Sequence, residues 1–184
     1  MRMDEDARRL FLKYAVPSCE THVRRREMQQ SRADELMAIL SENGKLPDDA
    51  EQTFKVALQV CGALAGIMHK DSIDADVVRE YFLVLHNRVV DEQKEMLRNV
   101  DSHFDPARCK TYSGKVINIE GENAVVATEL GRRNYKMAFA RDVKNGDTVA
   151  VHYDFIIEKI PKSWKPSQLV AATLNKKERS KSTS

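Results

Sequence analysis

The stretch that decides the fold is CKTYSGKVINIEGENAVVATELGRRNYKMAFARDVKNGDTVAVHYDFIIEKI, residues 109–160. Apolar and polar residues alternate along much of it, which is typical of β-strands with one buried face. Turn-forming residues separate the runs at Gly121-Glu122-Asn123 and at Lys144-Asn145-Gly146-Asp147. The candidate strands are residues 110–119, 123–129, 133–139, 147–153 and 155–160. Five short strands with tight turns predict a small closed barrel of the OB type.

The part of the chain before residue 100 has helical periodicity instead. Residues 54–68 are apolar nearly all round, which predicts a buried central helix, and Gly62 and Gly66 could let another helix approach closely. The other predicted helices are residues 3–16 ending at Pro17, a short helix capped by Ser18, a helix capped by Ser31 with Asp34, and a last helix from Asp71 or Ser72 to Asn99. The predicted fold class is α+β, an N-terminal helical bundle followed by a five-stranded OB-like barrel.

Charge and periodicity change at the same place, near residue 105. Residues 1–108 contain 16 basic and 20 acidic residues, a net charge of −4, whereas residues 109–184 contain 14 and 8, a net charge of +6. We therefore predict a helical domain (1–100), a linker (101–108), a barrel (109–162), a short helix (163–175) and a disordered basic tail (176–184). The basic second half is the better candidate for binding an anionic partner.

Composition and missing motifs exclude several classes of protein. No apolar run approaches the ~20 residues that span a bilayer, and the N-terminus lacks the apolar segment of a signal peptide. Three cysteines are too few for a disulfide framework, so we expect a cytoplasmic protein with reduced thiols. Seven glycines include no phosphate-binding loop, and there is no Cys-x-x-Cys, His-Glu-x-x-His or nucleophile elbow. We predict that the chain is not an enzyme.

Cys109 and His152 are the candidate chemical residues. Strand alternation places Val149, Val151 and Tyr153 on the barrel's core face and His152 on the other face, where a ligand could reach it.

The cations on either side of Cys109, Arg108 and Lys110, predict a lowered thiol pKa. A thiolate with an imidazole suits a transition metal, although two ligands do not complete a structural zinc site. A partner or small ligands would have to supply the remaining positions.

The segment CKTYSGKV (109–116) resembles the opening Cys-x-x-x-Pro-Gly-Lys-Val of the hydrogenase maturation chaperones HypC, HybG and HupF. The segment GDTVAVHYDFII (146–157) is similar to their Gly-Asp-Tyr-Val-Leu-Val-His-x-Gly-Phe-Ala-Ile. The resemblance implies an OB-like barrel that pairs with HypD and helps to carry iron, with cyanide and carbon monoxide ligands, to the large subunit of a nickel–iron hydrogenase. It implies Cys109 and His152 as the metal contacts. The partner-binding residues that it implies are Cys109, Gly114, Lys115 and His152.

Three functions follow as hypotheses. The first is a HypC-like chaperone whose helical domain adds interface or forms a homodimer. The second is a module for single-stranded nucleic acid, with Lys115, Arg132, Arg133, Lys136 and Arg141 as contacts. Against it, Tyr135, Met137 and Phe139 share one strand face and are more easily interpreted as core. The third is a metal-free protein–protein adaptor.

Overall fold

Helices precede strands in the computed structural model, which describes the backbone of residues 2–181 and the side chains of residues 2–174. The fold class is α+β, as predicted. The helices are α1 (Glu5–Ala15), α2 (Cys19–Arg24), α3 (Gln30–Ser41), α4 (Lys55–Ile67), α5 (Ala75–Glu80), α6 (His86–Val100), α7 (Pro106–Cys109) and α8 (Gln168–Lys181). The strands are β1 (Thr111–Glu120), β2 (Asn123–Thr128), β3 (Gly131–Lys136), β4 (Thr148–His152) and β5 (Phe155–Lys159).

Helix α1 is the centre of the helical region. The side chain of Asp4 caps its N-terminus by accepting a 2.7 Å hydrogen bond from the backbone N–H of Ala7. Its apolar face buries Phe11, Leu12 and Tyr14 completely. The helix ends at a 3₁₀ turn that contains Pro17, as the missing proline N–H requires.

Two predicted helix caps are wrong. The hydroxyl of Ser18 donates to the carbonyl of Ala15 and does not cap α2. Helix α3 begins at Gln30, so Ser31 lies inside its first turn and cannot act as the N-cap. Ser18 does occupy the N-cap position of α2, but its side chain accepts no hydrogen bond from an N–H of the first turn.

A continuous helical segment runs from α5 to α6 and joins the two through a π turn, Tyr81–Leu85. Its predicted length to Asn99 is confirmed. Its N-cap is Asp74, which accepts from the N–H groups of Asp76 and Val77, and not Asp71 or Ser72.

Helix α4 is not the buried central helix that its apolar sequence predicted. Cys61, Leu64 and Ala65 are buried, but Val56 is 73% exposed. A methyl group added at Gly62 or Gly66 would meet no atom within 4 Å among the described residues. Because the sequence of α4 is apolar on all sides, it did not indicate which side of the helix packs against the rest of the protein.

The five strands close into a barrel in the order β1-β2-β3-β5-β4. Strand β1 pairs antiparallel with β2 and β4, and β3 pairs parallel with β5. Tyr135, Met137 and Phe139 are buried, as predicted. Val149, Val151 and Ile156 belong to the core inside the barrel. The period-two pattern thus identified the strands and most of the residues inside the barrel, although Phe139 lies in the cluster shared with the helices.

The outside of β4 and β5 packs against the helices. Phe139, Ala150 and Ile157 belong to the same hydrophobic cluster as the buried residues of α1 and α5. The predicted linker is packed as well, since Asp101 and Phe104 are buried and Pro106 begins α7. The helices and the outer face of the barrel therefore share one core, separate from the core inside the barrel.

Helix α8 extends to Lys181 and includes residues 176–181 of the predicted disordered tail. This segment lacks proline and glycine and is rich in helix-forming residues, which explains its helical backbone. Residues 182–184 of the predicted tail lie outside the described residues. In the described part of the chain, no helix combines the length and apolarity needed to cross a membrane.

Candidate functional site

Cys109 lies at the end of the one-turn helix α7, directly before β1. Asp105 caps this turn by accepting a 2.9 Å hydrogen bond from the N–H of Ala107. The hydroxyl of Tyr112 donates to the carbonyl of Ala107, also at 2.9 Å. These two bonds hold the cysteine backbone beside the first strand, with the residue half-buried.

The cations that flank Cys109 are both engaged in ion pairs. Arg108 binds Glu20 at 2.7 Å and Asp154 at 2.8 Å, and Lys110 binds Asp91 at 2.5 Å. An ion-paired cation is a weak stabiliser of a neighbouring thiolate, because its charge is already compensated.

The predicted lowering of the Cys109 pKa is wrong, and burial of the thiol is the main reason. Burial raises the pKa of the thiol to about 11, against a smaller lowering by its hydrogen bond with the Tyr153 hydroxyl. The thiol is therefore protonated at neutral pH, and a metal ion would have to displace its proton in order to bind.

His152 is the last residue of β4, and its side chain is buried between the barrel and the helices. Its Nδ1 atom lies 2.7 Å from the carbonyl oxygen of Tyr14, and its Nε2 atom lies 2.8 Å from the carbonyl oxygen of Cys109. The residue is only 2% exposed. Strand alternation correctly placed it outside the barrel core, but the prediction that a ligand could reach it is wrong, because helix α1 covers it.

Both ring nitrogens of His152 thus face carbonyl oxygens, which accept hydrogen bonds and do not donate them. A neutral imidazole has one N–H, so only the protonated ring satisfies both carbonyls. Burial lowers the pKa of His152, while the two backbone hydrogen bonds oppose that effect. Neither ring nitrogen is left for a metal ion unless one carbonyl moves away.

A second histidine, His86, packs against the first. The two rings meet edge to face with centroids 5.7 Å apart. Burial, followed by the nearby His152, lowers the pKa of His86 to about 3. Its Nδ1 atom is buried and has no hydrogen-bond partner among the described residues.

Tyr153 completes the surroundings of the thiol, although the alternation pattern had assigned it to the barrel core. It follows β4 in a turn and has a positive φ of 50°, which a non-glycine residue rarely adopts. Its hydroxyl lies 3.2 Å from the hydroxyl of Thr21, and its ring lies under the guanidinium of Arg108, 5.2 Å from the ring centroid. The reversal of the chain at this turn directs Tyr153 towards α2 and Cys109.

The other two predicted partner-binding residues, Gly114 and Lys115, lie away from the contact between Cys109 and His152. A side chain at Gly114 would clash with β2, since an added Cβ would lie 2.6 Å from a methyl group of Val126, so this glycine allows the strands to approach. Lys115 is exposed and pairs with Thr148, four residues along β1 from the pair that contains His152. At about 3.3 Å per residue, that is ~13 Å from the histidine end of the strand.

The residues of the nucleic-acid hypothesis all lie on the surface: Lys115, Arg132, Arg133, Lys136 and Arg141 are exposed. Single-strand binding also needs aromatic rings on which bases can stack. In the barrel, residues 109–160, every tyrosine and phenylalanine is buried or half-buried. The cations therefore lack the stacking surface of a single-strand site.

No group of three or more His, Cys, Asp and Glu side chains in the described part of the chain could hold a metal ion. The contact between Cys109 and His152 runs from the imidazole to the cysteine backbone.

Comparison with known families identifies the barrel. Residues 109–168 match the model of the HupF/HypC family. The match begins at Cys109 and includes His152 and all five strands, so the C-terminal region is a HupF/HypC-type barrel. The helical region, residues 1–108, lies outside it. No curated protein matches the chain.

Sequence reasoning missed the residues that the helices bring to the HupF/HypC-type barrel. Tyr14 stacks on Phe82 with centroids 4.8 Å apart, and its hydroxyl donates to Glu158 at 2.8 Å. Arg79 holds the same carboxylate at 2.8 Å. The apolar face of α1 signalled that Tyr14 is buried, but no local pattern indicated which strand it would meet.

Proposed function

We propose that this protein is an accessory chaperone in the maturation of a nickel–iron hydrogenase. The observation that carries the proposal is the HupF/HypC match, which includes both Cys109 and His152, two residues that the fold brings into contact. The family match supports a maturation-chaperone role in broad terms. Members of this family are accessory chaperones and not catalysts, which is consistent with the prediction that the chain is not an enzyme.

Cys109 is the residue that we propose to contact the cargo, an iron ion with cyanide and carbon monoxide ligands. It is half-buried, whereas Cys19 and Cys61 are 3% and 0% exposed. Burial also raises the pKa of Cys19 and Cys61 to about 12. Cys109 is therefore the cysteine best placed to react with a metal complex delivered by another protein.

His152 has a positioning role in this proposal. By donating to the Cys109 carbonyl it fixes the backbone from which the thiol projects. By facing the Tyr14 carbonyl it ties that backbone to helix α1. The iron then depends on Cys109 and on groups supplied by a partner, and His152 acts through the backbone.

The proposed partner surface is the polar rim beside Cys109. A depression of about 110 Å³ lies there, lined in part by Asp105, Arg108, Arg133 and Asp154. Its charges of both signs suit the polar edge of a protein–protein interface. A HypD-like maturation protein or the hydrogenase large subunit is the proposed occupant, and a homodimer through the helical region remains a prediction.

The test is co-purification from cells that express the chain with a HypD-like protein and a hydrogenase large-subunit precursor. We expect the wild type to retain one of these proteins and Cys109→Ala to lose it, while Cys61→Ala, the same change inside α4, retains it. Equal retention by Cys109→Ala would favour the metal-free adaptor. Retention of neither protein by the wild type would contradict the proposal.

A further inference from the structure

A cavity between the helices, with His152 on its wall, has helical residues that the proposed function does not use. It has a volume of about 440 Å³ and lies between α1, α2, the start of α4 and the π turn. Pockets of ~300–1,000 Å³ are typical of small-molecule sites, and an apolar cavity of about 150 Å³ is enough to bind benzene. The cavity is therefore large enough for an aromatic molecule.

Its walls are mainly aromatic and apolar. Phe54, Tyr81 and Phe82 contribute rings, and Ala15 and Ala57 contribute small side chains that leave the space open. Tyr81 and Phe82 belong to the π turn, an irregularity that often marks functional sites in helices.

The polar groups of the cavity are distributed unevenly. The charged side chains on its wall are Glu27 and Lys55, and both residues are exposed. Glu27 is also paired with His22, whose Nδ1 lies 2.7 Å from the carboxylate. An uncharged ligand suits an interior whose charged groups face solvent, because a charged one would be buried without a partner.

The wall also carries uncharged polar residues: Ser18, His22, Thr53, His86 and His152. Of these, His86 has a buried nitrogen, Nδ1, without a hydrogen-bond partner among the described residues. Because burial lowers its pKa to about 3, the ring is neutral at neutral pH, with one nitrogen that donates and one that accepts. A hydroxyl group both donates and accepts, so it fits either tautomer.

We propose that this cavity binds a small, uncharged hydroxyaromatic molecule, which packs among Phe54, Tyr81 and Phe82 and hydrogen-bonds to His86. The ligand contacts that it names are helical residues outside the family match, while one further wall residue, His152, belongs to the match. It gives the helical region a binding function of its own.

The test uses phenol as the probe and toluene as its analogue without the hydroxyl, with ¹H–¹⁵N NMR of the full chain. We expect saturable shifts at the amides of Phe54, Tyr81 and His86, with a Kd of roughly 1–10 mM for a ligand of this size. Toluene should bind about fivefold more weakly, because it cannot make the hydrogen bond that the phenol hydroxyl makes with His86. Phenol shifts that do not saturate, or equal binding of toluene, would overturn the proposal.

Variants assign the binding to the cavity. His86→Phe should weaken phenol binding about fivefold, while His103→Phe, the same change at an exposed histidine, should leave it unchanged. Ala57→Phe should abolish binding by filling the space, and it serves as the deciding variant if His86→Phe does not fold. Undiminished phenol binding in Ala57→Phe would place the site elsewhere and overturn the proposal.

Discussion

Replacement of His152 by phenylalanine tests the junction between helix α1 and the barrel. The phenyl ring has nearly the shape of the imidazole, so it fills the same buried space without opening a large cavity. It cannot donate to the carbonyls of Tyr14 and Cys109, which lie 2.7 and 2.8 Å from the imidazole nitrogens. Because the neutral imidazole has one N–H, the variant removes one hydrogen bond at pH 7 and leaves one buried carbonyl without its donor.

The size of the effect follows from that one acceptor. A buried acceptor that loses its donor costs about 1–3 kcal/mol, so we expect His152→Phe to lower the free energy of unfolding by this amount. This is a substantial part of the ~5–15 kcal/mol that stabilises a typical domain. For a chain of this size it corresponds to a fall in Tm of roughly 2–12 °C.

His86→Phe is the matched control. Its ring is 5.7 Å from that of His152, but its Nδ1 has no hydrogen-bond partner among the described residues. Removal of an unsatisfied buried polar atom should change the free energy of unfolding by less than about 1 kcal/mol, in either direction.

Urea unfolding followed by circular dichroism at pH 7 measures both variants. We expect the same dependence of the unfolding free energy on urea and a clearly lower midpoint for His152→Phe alone. If His152→Phe is as stable as His86→Phe, the two carbonyl contacts do not stabilise the fold and the reasoning about His152 is refuted.

Three further measurements test other parts of the structure. Gly114→Ala should destabilise the protein by about 2 kcal/mol or more, because its methyl group would lie 2.6 Å from Val126. Gly62→Ala should stabilise the protein by ~0.5–1 kcal/mol, because the added methyl group would meet no described atom within 4 Å. If the urea midpoints of the two variants moved in the same direction, this pair of predictions would be contradicted. Because the pKa of His86 is lowered to about 3, the unfolded chain takes up the proton first, so stability should fall as the pH decreases from 6.5 towards 3. His86→Phe should lack the loss of stability that protonation of His86 causes. Identical pH dependence of the unfolding free energy in the wild type and in His86→Phe would contradict this prediction. Alkylation of Cys109 by iodoacetamide can be followed by mass spectrometry, and its rate should rise until the pH reaches about 11. A rate that levels off near pH 9, the ordinary thiol pKa, would show that burial does not control the pKa of this thiol.

The barrel was predictable from sequence because its determinants are local. Alternation of apolar residues identified the strands, and the positions of Gly and Asn identified the turns. The motifs around Cys109 and His152 indicated a resemblance to the HupF/HypC family, and residues 109–168 match that family's model.

The burial of His152 was not predictable, because alternation tells which face of a strand a side chain lies on and not what covers that face. The covering group, the carbonyl of Tyr14, is 138 positions away in the chain. The prediction of a lowered thiol pKa failed for the same reason, because the flanking cations are visible in the sequence but the burial of the thiol, which raises its pKa, is not.

The error in α4 has a different origin. Its apolar composition correctly indicated a helix, but a helix without charged residues in its middle carries no pattern that separates a packed side from an exposed one. The elements that pack against α4 determine which of its sides is buried, and they leave Val56 exposed to solvent.

Infrared spectroscopy of the protein purified without oxygen, from cells that express the maturation proteins, tests the central claim most directly. The account predicts cyanide and carbonyl stretching bands together with bound iron in the wild type and in Cys61→Ala, and neither in Cys109→Ala. Bands and iron that persist in Cys109→Ala, or that are missing from the wild type, would contradict a role for Cys109 in carrying the iron fragment.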